Sequence, residues 1–151
     1  MDGTEPLREW VVPSELGQEV FVLRELAEAL GGDARSPDRL AEISTAVGEA
    51  CLNAIEHGNR CDRTLPVTVT MWGLPDKYVF RIADQGEGAS LEPDRLCLQA
   101  ADKLDWEQPR GWGLRFMREY ADEVRAYRTE RGFCVELAFA GLGAGGEEES
   151  T

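Results

Sequence analysis

The chain has 151 residues and a mass of 16.7 kDa, the length of one domain with a full core and too short for two ordinary ones. Its 16 basic and 29 acidic residues give a net charge of -13 and a pI near 4.5. That balance excludes a binder of nucleic-acid backbones, which needs a basic face, and a module docked on an anionic membrane surface. Apolar residues at 42% with charged residues at 30% are the composition of a globular protein. No apolar run approaches the roughly 18 residues of a membrane span, and the opening MDGTEPLREW lacks the apolar stretch of a signal peptide. Cysteines 51, 61, 97 and 134 form no CxxC pair and accompany a single histidine, which points away from a zinc site. Such scattered thiols are expected in a reducing cytoplasm.

In chain order, residues 7–12 (LREWVV) read as a short strand, and Pro13-Ser14 as the opening of a helix. Leu16, Val20, Leu23, Ala27 and Leu30 recur at steps of four and three, a helical stripe that Gly31-Gly32 stops. A second helix is predicted from Pro37 to His57, capped by Ser36, with Asp38 in the first turn and Leu40, Ile43, Val47, Ala50 and Ala54 inward. Gly58-Asn59 ends it. Residues 66–72 (PVTVTMW) alternate as a strand, Gly73 to Asp76 turn, and Tyr78 to Ala83 form the next strand. Residues 91–108 allow a short helix that Pro93 weakens. Gly111-Trp112-Gly113-Leu114 opens a better helix to about Glu123, with Phe116, Met117, Tyr120 and Val124 inward, and residues 124–128 and 133–139 form a final hairpin. The tail from Gly141 to Thr151, glycine then glutamate, reads as disordered, leaving residues 1–140 as a single domain. The order predicts an α+β two-layer sandwich: a mixed, mostly antiparallel sheet with helices on one face.

Three segments carry chemistry. Glu49, Asn53 and His57 stand at i, i+4 and i+8, on one helix face with about 40° of drift per step. Glu49 is an oxygen base, and Asn53 offers a neutral oxygen suited to a hard cation such as magnesium. Asp84-Gln85-Gly86-Glu87-Gly88 follows a strand directly; a carboxylate there can accept from an exocyclic amine, and the glycines allow a close backbone approach to a flat ring. Arg110-Gly111-Trp112-Gly113-Leu114 precedes a helix, where exposed N–H groups and the helix dipole favour phosphate. The last segment is neither a complete GxGxxG fingerprint nor a Walker A loop. Each segment alone is equally at home as a solvent face, a turn or a loop.

Together and in this order, Glu-x3-Asn-x3-His on a helix, DxGxG after a strand and GxGL before a helix resemble the N, G1 and G2 boxes of the GHKL ATPase superfamily, which shares the Bergerat nucleotide fold. The phrase GEACLNAIEHGN and the 22 residues between Gly88 and Gly111 are similar to the anti-sigma-factor serine/threonine kinases of bacterial partner-switching systems. The similarity runs from about Leu7 to Phe139. It implies that Glu49 is the general base and that Asn53 holds Mg2+ against ATP. It also implies that Asp84 pairs with the adenine amine, that Gly86 and Gly88 lie beside the base, and that Gly111, Trp112, Gly113 and Leu114 meet the phosphates with charge added by Arg110. His57 matches the last N-box residue.

The resemblance implies an ATP-dependent protein kinase acting on an anti-sigma-factor antagonist, sequestering a sigma factor, and forming a homodimer. Two departures stand out. Family members carry Gly-Thr near the start of the last strand, where this chain has Gly132-Phe133, its nearest threonine being Thr129 upstream; and Trp112 is bulky between the G2 glycines. The first departure keeps open a catalytically weak ATP-binding module that regulates a partner by binding. Residues 108–128 hold five arginines against three acids, so the one non-acidic stretch overlaps the segment expected to meet the phosphates. The acidic remainder is left for protein partners.

Overall fold

The computed structural model describes residues 5–31, 37–85 and 117–140. Five strands form one open sheet, β1 (Arg8–Pro13), β2 (Pro66–Leu74), β3 (Lys77–Ala83), β4 (Glu123–Arg128) and β5 (Phe133–Ala140), in the order β1-β2-β3-β5-β4. All four pairings are antiparallel. Helices α1 (Gln18–Leu30) and α2 (Pro37–Asn53) cover one face, with a further helical turn at 117–120. The expected α+β architecture is observed.

Alternation along the strands divides the sheet. Val67, Val69 and Met71 of β2, Tyr78, Phe80 and Ile82 of β3, and Phe133, Val135, Leu137 and Phe139 of β5 are buried under the helices. The other face carries charge. Pairing aligns Glu9, Thr70, Arg81, Glu136 and Arg125 across all five strands. Thr70 Oγ1 donates to Glu9 Oε2 (3.1 Å), the Arg81 guanidinium lies 4.8 Å from the Trp72 ring, and Arg125 Nη1 is 3.7 Å from Glu136 Oε1. A sheet solvated on one side accounts for the clean polar–apolar alternation of the sequence.

α1 departs from expectation twice. It starts at Gln18, not at Pro13-Ser14: Gly17 takes the left-handed conformation (φ 105°) and donates its N–H to Glu19 Oε1 (2.8 Å). Its buried stripe is Val22, Leu26 and Leu30; Leu16, Val20 and Phe21 are exposed. Apolar residues surround most of this helix, so spacing alone admits two stripes. Packing decides between them: Val22, Leu26 and Leu30 enter the core, while Leu23, a member of the expected stripe, is partly buried against Gly48 of α2, its Cδ1 3.1 Å from where a Cβ would stand.

α2 buries Ile43, Val47 and Ala50 as expected, together with Ala46 and Cys51. Regular α winding ends at Asn53, short of His57. Ala54–Gly58 form one turn of π-helix, closed by Asn59 N–H to Ala54 C=O (2.8 Å) and followed by Cys61 N–H to Ile55 C=O (2.7 Å). Arg60 and Cys61 then adopt left-handed φ values and terminate it. At the C-terminal side, the helical turn gives way before Glu123, which begins β4 rather than ending the helix. The Ser36 cap, the segments 86–116 and the tail from 141 lie outside the described residues.

Candidate functional site

The C-terminal end of α2 and the end of β3 meet under β5. Asn53, Ala50, Ala54 and Gly58 from the helix side, with Ile82, Asp84, Phe133 and Val135 from the sheet, line a narrow cleft of about 20 Å3. That is room for about one water. A larger cavity, about 530 Å3, lies on the charged sheet face and includes Glu9, Arg81, Tyr127 and Arg131. Asp84 borders both. The narrow cleft is too small for a purine as it stands, but among the described residues it is where Asn53 and Asp84 line one space together with apolar side chains.

Asp84 is almost fully buried and held on several sides. Its N–H donates to Phe133 C=O (2.9 Å), and its Oδ1 accepts from Phe133 N–H (3.3 Å). A Cβ on Gly58 would collide with its carboxylate, and one on Gly132 with its carbonyl oxygen. Gly132 therefore has a steric task independent of the residue after it. Thr129 serves the β4–β5 turn: its Oγ1 accepts from Arg131 and Gly132 N–H (3.2 Å each). It does not stand in for the missing threonine of Gly-Thr.

Asn53 is the second element. Its Oδ1 is shielded from solvent and accepts no hydrogen bond among the described residues. Buried acceptors are nearly always satisfied, so this oxygen is suited to a ligand from outside the chain. A neutral amide oxygen fits the octahedral, oxygen-rich demand of Mg2+. Glu49 lies one turn earlier on α2, with its Oε1 also screened from water. Among the described residues no group of three or more His, Cys, Asp or Glu side chains is gathered to hold a metal.

Asn53 and Asp84 are thus brought together, with Glu49 adjacent to Asn53 on the helix. His57 is not: it does not line the cleft, and its Nε2 faces Glu56 Oε1 at 3.7 Å. The π turn accounts for this, since it changes the winding between residues 53 and 57. Gly86, Gly88, Arg110, Gly111, Trp112, Gly113 and Leu114 lie outside the described residues. Sequence reasoning missed Asn59, taken as a helix stop, and Ser14, taken as a helix start. Both are buried and hydrogen-bonded to each other, Asn59 Nδ2 to Ser14 Oγ (2.8 Å). Adjacency of Asn59 to the N-box was the only available signal.

Residues 12–139 match the histidine kinase-like ATPase domain. The chain belongs to that family. Among curated relatives it is 30% identical over 105 residues to the serine-protein kinase RsbW of Bacillus licheniformis, covering 68% of this chain and 65% of the relative. It is 33% identical over 91 residues to the anti-sigma F factor of Clostridium perfringens strain SM101, covering 60% and 64%. The chain thus spans a little under two thirds of these relatives' lengths. Two solved structures share the fold. One is the SiaB-SiaC complex of Pseudomonas aeruginosa (TM-score 0.62, 17% identity, 90% of each chain). The other holds the RsbU and RsbW domains of a Mycobacterium tuberculosis protein (TM-score 0.59, 19% identity, 91% of this chain and 33% of that one). Among the described residues no helix is long and apolar enough to cross a membrane.

Proposed function

We propose that this chain is a Mg-ATP-dependent protein serine/threonine kinase that phosphorylates an anti-sigma-factor antagonist and sequesters a sigma factor. The observation that carries the reading is the cleft that Asn53, with its solvent-shielded Oδ1, and the fixed Asp84 line together with apolar side chains, in a chain of this family. Similarity to an RsbW serine-protein kinase and to an anti-sigma F factor supports the partner class.

In this reading the Asp84 carboxylate accepts from the adenine amine, while Ile82, Phe133 and Val135 exclude water from the ring. Asn53 would hold Mg2+, which supplies charge neutralisation at the phosphates. Glu49 accepts the proton of the substrate hydroxyl, and its place one turn from Asn53 puts base and metal ligand on the same phosphate. Asn53, Asp84 and Glu49 are thus one machine, completed by the Arg110 to Leu114 segment at the phosphates.

A homodimer is part of the proposal. Leu7 just before β1 and Val11 on it, with Leu16 before α1 and Val20 and Phe21 in its first turn, are exposed apolar side chains, and β1 is a free edge of the sheet; Val11 is 61% exposed. Apolar exposure beside an unpaired strand edge marks an association surface.

The deciding experiment is transfer of labelled phosphate from ATP to purified candidate antagonists, with Glu49→Gln beside the wild type. Transfer lost in the variant while ATP binding persists is expected. Transfer unchanged in Glu49→Gln would remove Glu49 from its role, and ATP binding with no transfer to any antagonist would favour a regulatory module. The Phe133 that replaces the family's threonine is the observation favouring that second reading.

A further inference from the structure

Asn59 is nearly inaccessible to solvent, yet it lies on a connecting segment immediately after the π turn. Its amide group is fully engaged. Nδ2 donates to Ser14 Oγ (2.8 Å), Leu65 C=O (3.1 Å) and Pro66 C=O (3.1 Å). Oδ1 accepts the N–H of Gln85 (2.9 Å). Ser14 is also fully buried, and its Oγ donates to Leu65 C=O. One side chain therefore joins four segments: the β1–α1 turn, the end of the helix, the start of β2, and the residue after Asp84.

The last link is the informative one. Gln85 follows Asp84 where the chain leaves β3, and its N–H has Asn59 as its acceptor. Asp84 itself is fixed through its own N–H and Oδ1 by Phe133, and Gly58, the residue before Asn59, abuts its carboxylate. The dipeptide Gly58-Asn59 thus touches the Asp84 side chain from one side and secures the following peptide from another. A hydrogen bond that discriminates between bases depends on the angle of its acceptor, and a peptide free to rotate after Asp84 would swing that acceptor.

We propose that Asn59, with Gly58, is a positioning element for base selection: Asn59 anchors the peptide after Asp84 while Gly58 leaves the slot its carboxylate occupies. The proposal rests on the reading of Asp84 as the adenine-recognising group. Asn59 does not touch the nucleotide in this scheme. It acts through the orientation of Asp84, so its loss should degrade the preference for one base over another, beyond any loss of binding common to all nucleotides.

The test measures dissociation constants of the full chain for ATP and for purine riboside triphosphate, which lacks the 6-amino group, both with magnesium. Wild type should prefer ATP by about 10- to 100-fold, the range of a hydrogen bond to a charged acceptor. In Asn59→Ala that ratio should fall at least fivefold. Gly58→Ala should lower it similarly by crowding the carboxylate, and it carries the test if Asn59→Ala does not fold. Ile43→Val, a core change on the far part of α2, should leave the ratio intact even as it lowers the melting temperature. A ratio in Asn59→Ala or Gly58→Ala equal to wild type, with both affinities weakened alike, would overturn the positioning role alone. A wild type that binds both nucleotides equally would overturn the reading of Asp84, and this proposal with it.

Discussion

Arg39 is a partly exposed side chain whose removal should cost this fold heavily, because one guanidinium ties α2 to the C-terminal part of the sheet. It stands in the first turn of α2, and its Nη1 reaches Glu42 Oε1 (3.0 Å) and Tyr120 C=O (3.3 Å). Nη2 reaches Asp122 Oδ2 (3.1 Å) and Ala140 C=O (3.2 Å), and the guanidinium lies 5.5 Å from the centre of the Phe139 ring. Its side chain is only 22% exposed. The two carboxylates are about half exposed, so each pair contributes about 0.5 kcal/mol. The two carbonyl bonds, replaceable in part by water, add about 1 kcal/mol together. The ring contact adds about 0.5–1 kcal/mol. Arg39→Ala should then cost about 2–3 kcal/mol, which for a domain of this size is about 5–10 °C in melting temperature. Arg39→Lys keeps the charge without the fork and should cost roughly half as much. Urea unfolding followed by circular dichroism gives the number, and a cycle with Asp122→Ala should reveal coupling of about 0.5–1 kcal/mol. A loss below about 0.5 kcal/mol in Arg39→Ala would refute the reasoning, for it would mean that water replaces the fork at no cost.

Four further outcomes are expected. Asn53→Ala should bind ATP with little response to magnesium, whereas wild type should gain thermal stability from Mg-ATP well beyond that from ATP with a chelator; equal gains in both proteins would leave Asn53 without a cation. Val11→Glu combined with Val20→Glu, two exposed positions, should shift sedimentation toward the monomer while changing stability by no more than about 1 kcal/mol. Burial, and secondarily the Glu19 carboxylate, pushes the Cys51 thiol up to about 12. Because the folded value is raised, the stability Cys51 contributes is whole below about pH 8.5 and is lost as pH climbs toward 12, by up to about 1.4 kcal/mol per pH unit. The urea midpoint should therefore fall between pH 8 and pH 10 more steeply in wild type than in Cys51→Ala. Iodoacetamide should label exposed Cys61 well before Cys51.

Much of the fold is written in residue patterns. The alternation of Val67, Thr68, Val69, Thr70 and Met71 could only be a half-buried strand, and the spacing of Ile43, Val47, Ala50 and Ala54 fixed the inward face of α2. α1 was misread because its apolar residues surround the helix, and the choice between two stripes belongs to the packing of Val22, Leu26 and Leu30 into the core, contacts between elements. The candidate site was legible where it is local: Glu49 and Asn53 a turn apart on α2, and Asp84 at the end of a strand. It was illegible where it is not. Asn59 and Gly58 look like a helix terminator until the sheet brings Asp84 and Gln85 against them, and no spacing rule connects residue 132 with residue 84.

The π turn at residues 54–58 has a consequence for insertions and deletions. A π turn holds one residue more than the α turn it replaces, so dropping a single residue between 54 and 57 would let the helix close with ordinary winding. Residues after the deletion would then keep nearly their present direction, since the turn loses only its extra residue. The same deletion within the regular winding of α2 would turn every later position by about 100° and draw it back by about 1.5 Å, taking Gly58 off the Asp84 carboxylate and releasing Gln85 from Asn59. Substitution at positions 56 and 57, whose side chains are only partly buried, should be well tolerated. The number of residues in α2 itself should not change, because there chain length is the gauge that spaces helix from sheet.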